Sequence, residues 1–163
     1  MFQGKLEAIF IGPKVGEPMQ ALETASAVAG AGLEGDRYSR GDGTFSKPTP
    51  NAANKNYPAD RQITLIEAEA LEAAARDYEL AVKPDETRRN LLVRGVPLNH
   101  LVGQEFLVGD VRLRGLRLCE PCGHLEKLTA LDGIKKALLH RGGLRAEILA
   151  GGNLRLGDTI RPA

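Results

Sequence analysis

Residues Glu105 to Leu118 read EFLVGDVRLRGLRL, two apolar runs around a Gly-Asp pair. A Gly-Asp pair between alternating segments is a tight-hairpin signal. In the second run Val111 and Leu113 share one face while Arg112 and Arg114 share the other. Beyond Gly115 the parity reverses, because Leu116 and Leu118 are now the apolar residues. Strand side chains have a period of two, so a strand cannot change faces without a slip. A bulge or sharp bend is therefore expected at Gly115. Bulges re-aim the residues that follow, and here those include Cys119 and Cys122.

The rest of the chain supports the β reading. KLEAIFIG (Lys5 to Gly12) is strand-like and is broken by Pro13, Gly16 and Pro18. TASAVAGAG is a weaker strand candidate, and RQITLI, LRAEILAGG and LRLGDTIRP are stronger ones. Two helices stand out. In EAEALEAAARDYE, Leu71, Ala74, Ala75 and Tyr78 form an apolar stripe at helical spacing. In LDGIKKALLHRGG, Asp132 is the expected N-cap and Gly142 the expected left-handed glycine past the end. Tyr38 to Ala59 has no periodicity, and a loop of that length serves as a lid or a binding segment. No repeat or linker interrupts residues 1–163, and 42% apolar composition suffices for one core. The expected fold is mainly β with a few helices (α+β), a β-barrel in a single domain.

Charge excludes several classes of partner. Lys and Arg total 22 against 21 Asp and Glu, so any anion site must be local rather than a general nucleic-acid or membrane-binding field. No apolar run approaches the ~18 residues of a membrane span, and MFQGKLEAIF lacks the organisation of a signal peptide. A cytoplasmic protein is expected. Gly30 to Gly35 spells G-x-G-x-x-G, the dinucleotide fingerprint. That motif needs a helix starting within the glycines to hold the pyrophosphate. Here DRYSRGDGTFSKPTP follows, which forbids one, so a turn is expected. Asp36 and Arg37 then stand at the mouth of the long loop.

Cys119-Glu120-Pro121-Cys122 with His124 is the segment richest in chemistry. Four readings of it stay open. Structural zinc needs four ligands, and His100 or His140 would have to complete the set. A thioredoxin-like dithiol needs a helix starting at the first cysteine, whose dipole favours the thiolate. Two buried thiols can also act as small hydrophobes. Lastly, one thiolate beside basic groups can serve as a soft metal ligand or sulfur carrier. A second cluster, Arg88-Arg89-Asn90, lies where a turn enters a strand. Alternation puts Arg88 and Asn90 on one face, an anion-and-amide clamp, and turns Arg89 away. An ordinary solvated arginine cluster is the competing reading.

In chain order, GLEGDRY, RQITLIEAEAL, RRNLLVRGVPLN, LVGQEFLVGDVRLRG, LCEPCGHLE and RGGLRAEILAGGNLRLGDTI resemble the MOSC domain. This is the C-terminal domain of molybdenum-cofactor sulfurases, which also occurs alone. The resemblance implies a MOSC-type β-barrel with a positively lined pocket for the molybdenum cofactor, a molybdopterin. It implies that Cys122 is the functional cysteine, either a persulfide carrier or the thiolate ligand of molybdenum in reduction of N-hydroxylated substrates. Arg88 and Asn90 correspond to the cofactor-contacting R-x-N pair. Lys14 corresponds to a lysine reaching the cofactor phosphate, with Arg37 a further candidate. Cys119 would be a second thiol able to form a disulfide with Cys122. No pyridoxal-phosphate desulfurase, heme or flavin segment is present, so a cysteine desulfurase or external electron-donor proteins are the expected partners, with a small-molecule substrate. A non-catalytic or zinc-stabilised binding module with structural cysteines is the alternative.

Overall fold

A computed structural model describes residues 1–43 and 59–163. Its strands, in chain order, are β1 (Gly4–Ile11), β2 (Gln20–Leu22), β3 (Thr24–Val28), β4 (Gly32–Leu33), β5 (Ile63–Glu67), β6 (Leu91–Arg94), β7 (Glu105–Val108), β8 (Val111–Leu118), β9 (Leu144–Ala150), β10 (Gly152–Arg155) and β11 (Thr159–Pro162). The α-helices are α1 (Ala68–Tyr78), α2 (Gly123–Thr129) and α3 (Ile134–Ala137).

The larger sheet runs β11-β7-β8-β9-β5-β6-β1-β2, and a β11–β1 pairing closes its first seven strands into a barrel. Closure removes the exposed sheet edges that short strands would otherwise present. β5 and β6 pair in parallel, joined through α1, while the other strand pairs are antiparallel. β3, β4 and β10 form a small second sheet. Alternating apolar residues fill the barrel, among them Phe106, Ile63, Leu65 and Leu113, all fully buried. A second cluster lies outside the barrel wall, where Leu71 and Ala74 of α1, Leu125 of α2 and Ile134 of α3 meet Ile66 and Leu92.

The hairpin forms with Gly109 in the left-handed region, and β8 slips register between Gly115 and Arg117 as the parity reversal required. A reason for glycine here is steric. A Cβ on Gly115 would lie 2.1 Å from the carbonyl oxygen of Leu101, because the loop before β7 docks against the bulge. The loop is held there by the Gly103 and Gly115 amides.

Other local expectations are corrected. The stripe of α1 is narrower than read: Leu71 and Ala74 are buried, but Ala75 and Tyr78 are exposed. Tyr78 lies instead beneath the cationic groups of Lys136 and Arg141. Gly133, at φ 88°, occupies the N-cap of α3 in place of Asp132. Past that helix the left-handed residues are His140 and Gly143, not Gly142. Gly142 is close-packed instead, since a Cβ there would lie 2.5 Å from the Cys119 carbonyl oxygen. Of the loop expected over 38–59, Tyr38 belongs to a 3-10 turn over Arg37–Arg40 and Ala59 opens another over Ala59–Arg61. The lid reading concerns mainly residues 44–58, which lie outside the described residues. The glycine-rich stretch is a turn and the short strand β4, followed among the described residues by the 3-10 turn over Arg37–Arg40 and by no α-helix before α1.

Candidate functional site

A pocket lies where the loop between β1 and β2, the turn after β4, the residues before β6 and the segment between β8 and α2 converge. Arg37, Arg88, Asn90, Cys119 and Cys122 all line it.

Asp36 builds its first wall. The buried carboxylate accepts the Gly12 amide at 2.7 Å and the Tyr38 amide at 3.1 Å, tying the loop after β4 to the end of β1. Arg37 is thereby held inside the protein, only 6% exposed, over the Tyr38 ring at 4.7 Å. Its Nη1 donates to the Gly12 carbonyl at 3.4 Å, whereas its buried Nε has no partner among the described residues.

Arg88, Arg89 and Asn90 form the second wall, but not by strand alternation. Arg88 sits in the left-handed region at φ 62°, and β6 starts only at Leu91. All three side chains therefore line the pocket, and Arg89 does not turn away. Arg88 donates through Nη1 to the Glu17 carbonyl, leaving its buried Nε and Nη2 without partners among the described residues. Burial pushes the Arg88 guanidinium below its ordinary pKa, and Arg37 adds to the effect. Asn90 spends its carboxamide on the frame: Oδ1 accepts from the Thr64 amide at 3.0 Å, and Nδ2 donates to the Phe10 carbonyl at 3.1 Å. Arg89, which alternation misplaced, is 8% exposed and donates to the carbonyls of Gly142, Thr87 and Cys119 at 2.8, 2.9 and 2.9 Å. It is a positioning residue that moors the cysteine segment to the segments before β6 and β9.

The cysteines differ. Cys119 is buried, with its amide bonded to the Gly143 carbonyl at 2.7 Å. Cys122 is exposed at the pocket wall and is the N-cap of α2. The helix thus starts after the second cysteine, contrary to a thioredoxin-like arrangement. Glu120 points to His140, accepting its amide at 2.9 Å and meeting its Nδ1 at 3.2 Å. Among the described residues, no group of three or more His, Cys, Asp and Glu side chains is placed to hold a metal ion. The four-ligand zinc site therefore has no assembled counterpart there. Lys14 is exposed and pairs with Glu17 at 3.9 Å, outside the pocket lining.

Two further lining residues escaped the sequence reading, Arg61 and Arg145. Arg145 looks like the outward residue of an alternating strand. Its register partners are Thr64 of β5, which also lines the pocket, and Arg117 at the β8 bulge. Burial lowers the Arg145 pKa; Cys119 opposes this, while Arg61, Arg89 and Arg117 reinforce it.

No helix among the described residues is long and apolar enough to cross a membrane. No curated protein matches the chain. Among solved structures, the YuaD protein from Bacillus subtilis superposes with TM-score 0.74 at 19% identity, covering 98% of this chain and 97% of that one. YiiM from Geobacillus stearothermophilus gives TM-score 0.69 at 12% identity, covering 98% and 75%. YiiM from Escherichia coli gives 0.66 at 17% identity, covering 98% and 69%. At such identities these likenesses establish the fold. A sequence profile of the MOSC domain matches residues 35–161, from the glycine before Asp36 to the last barrel strand. With most of the barrel, the cysteine segment and the arginine wall inside that span, the chain belongs to the MOSC domain family.

Proposed function

We propose that the pocket binds the molybdenum cofactor and presents the sulfur of Cys122 to it. The observation that carries this reading is the set of unpartnered, buried guanidinium nitrogens on Arg37 and Arg88. A buried donor without an acceptor costs about 1–3 kcal/mol, and an anionic ligand removes that cost by supplying the acceptor. The donor set suits a phosphate, which guanidinium forks grip in plane. Arg37 and Arg88 would hold the phosphate of the pterin. Asn90 keeps Arg88 in place through the β1 and β5 backbones, and Lys14 can reach only as an outer contact. The cofactor, when bound, would supply a redox-active metal for which thiolate sulfur is a suitable ligand.

Cys122 has the remaining task. Its sulfur is exposed while its backbone is fixed as the α2 N-cap, so it is accessible yet held in place. That arrangement serves either as a metal ligand in reduction of an N-hydroxylated small molecule or as a carrier of sulfane sulfur. In the first use an external electron donor is required, and in the second a pyridoxal-phosphate-dependent cysteine desulfurase. The reading is tested by measuring molybdenum and pterin in protein made in cells that synthesise the cofactor. Near-stoichiometric molybdenum in the wild type, lost in Cys122→Ser at unchanged Tm, supports the ligand role. Pterin without dependence on Cys122, with a trappable persulfide, supports the carrier role. Absence of both pterin and persulfide refutes the reading.

A further inference from the structure

The positive charge of the pocket falls into two groups. Arg37 and Arg88 form one, facing Asp36 and Tyr38. Arg145 lies in the other, where the charges acting on it come from Arg61, Arg89 and Arg117 and the nearby sulfur is Cys119. The two groups meet different neighbours: the loop after β4 and Arg88 supply one, whereas the β8–β9 ladder, the turn before β5 and Arg89, which adjoins Arg88 in the chain, supply the other.

Donors in the second group are mostly committed. Arg89 is bound to carbonyls, and Arg117 grips Asp60 at 2.8 Å. Arg61 also faces Asp60, with Nε 3.6 Å from its carboxylate. Arg145 donates through Nη1 to the Asp60 carbonyl at 3.3 Å, but its buried Nε has no partner among the described residues. One carboxylate, Asp60, therefore faces the guanidiniums of Arg61 and Arg117 with Arg145 alongside, which leaves net positive charge around an unused buried donor. Desolvated like charges persist at a cost unless an anion joins them. Stability alone gives no reason to keep them.

We infer that Arg145 marks a second anion locus of the pocket, which holds a carboxylate or phosphate group of the small molecule acted on at Cys122. This rests on the proposed function, in which Arg37 and Arg88 take the phosphate of the cofactor. It narrows the substrate class to small molecules carrying an oxyanion, whose reacting end is directed toward Cys122 on the same pocket wall. The anion stays near Cys119, and that thiol serves as a wall of the locus.

Side-chain Nε–Hε resonances of the arginines, followed by NMR during titration with inorganic phosphate and separately with acetate, test this. The expected result is two sets of shifts with separate midpoints, one reported by Arg145 and one by Arg37 and Arg88. Arg145→Gln should weaken phosphate binding at the second locus about tenfold or more while leaving the Arg88 shifts intact, and Arg88→Gln should do the reverse. Arg145→Met, which removes the guanidinium but keeps the apolar stem, gives the same answer if the glutamine variant fails to fold. Acetate shifting Arg145 marks a carboxylate site; phosphate alone marks a phosphate site. The inference is overturned if all arginines titrate together, or if Arg145 shifts with neither anion. Molybdenum and pterin content separates the two readings. Loss of cofactor in Arg145→Gln equal to that in Arg88→Gln would make both groups cofactor contacts and end the inference while the proposed function stands. Absence of both pterin and persulfide from wild type ends the proposed function, and the titration still decides whether the second locus exists.

Discussion

The barrel interior and the arginine-lined pocket are neighbours built on opposite rules. Inside the barrel, Phe106, Leu113, Ile63 and Leu65 are fully buried and apolar, so burial stabilises them without any polar group to satisfy. In the pocket, Arg37, Arg88 and Arg145 are partly or wholly withdrawn from water with donors left unpaired. Arg89 belongs to the pocket by position and to the core by behaviour, since three carbonyls occupy its guanidinium. The contrast separates arginines whose donors are satisfied within the protein from arginines with buried donors that are not. Stability and ligand binding should therefore respond to different substitutions.

Core truncation should give the largest effect. Phe106→Ala removes a fully buried ring from the barrel centre and is expected to cost about 3–5 kcal/mol in denaturant unfolding. A loss below about 1 kcal/mol would mean that the barrel interior is not packed as described. Next comes Arg89→Met, which keeps the apolar stem and leaves the carbonyls of Thr87, Cys119 and Gly142 without their donor. Its expected cost is about 2–3 kcal/mol, together with faster alkylation of Cys119 as the segment loosens. Unchanged Tm and unchanged alkylation would reassign Arg89 to the ligand-binding group.

Arg88→Gln should do the opposite. Removing a desolvated charge that faces Arg37 is expected to leave Tm equal or raise it by a few degrees, about 2–4 °C per kcal/mol at this chain length. Phosphate binding at the Arg37 and Arg88 group should be lost at the same time, while that at Arg145 persists. A fall in Tm as large as that of Arg89→Met would erase the distinction between the two kinds of arginine.

The smallest effects concern pH, where two carboxylates should act with opposite sign. Burial raises the Glu67 pKa above 4.5; the Leu98 amide, donating at 2.7 Å, opposes this. Its contribution is therefore full at acid pH and is lost as pH rises from 4.5 through the folded value. Burial also acts to raise Asp60, but the Arg117 hydrogen bond and the charges of Arg61, Arg117 and Arg145 outweigh it and hold the group below 3.8. Its contribution is present above 3.8 and is lost as pH falls below that value. Glu67→Gln should thus raise Tm slightly at neutral pH, and Asp60→Asn should lower it there. Melting curves from pH 3 to pH 7, roughly the span of the two titrations, would show the difference between variants shrinking toward acid if the signs are right.

What could be read in the chain was what depends on near neighbours. The Gly109-Asp110 hairpin, the parity reversal at Gly115 and most of α1 follow from residues adjacent along one element. Capping was read less well at α3. Asp132 is a good capping residue by type, but the chain places Gly133 there and anchors the following turn through Glu120 and His140, 20 residues apart. Tyr78 was misplaced because period alone cannot tell an apolar core from a ring lying under Lys136 and Arg141. The site was half legible. Cys122, Arg88, Asn90 and Arg37 were marked by residue type and motif; Arg89 was hidden by an alternation argument that the left-handed Arg88 invalidates, and Arg145 carried no local signal within the strand that forms β9.

The amino-acid sequence by itself determined the β-rich class, the kink ahead of the cysteines, the exclusion of a dinucleotide fold and the family the chain resembles. All of these are local chemistry or ordered motif. Only the tertiary structure decided which arginines are structural and which are unsatisfied. That property belongs to distances between segments far apart in the chain, such as Asn90 with Phe10, 80 residues away, and Arg89 with Gly142, 53 residues away. A guanidinium has the same chemistry wherever it stands. Barrel closure determines whether a carbonyl, water or an empty pocket faces it.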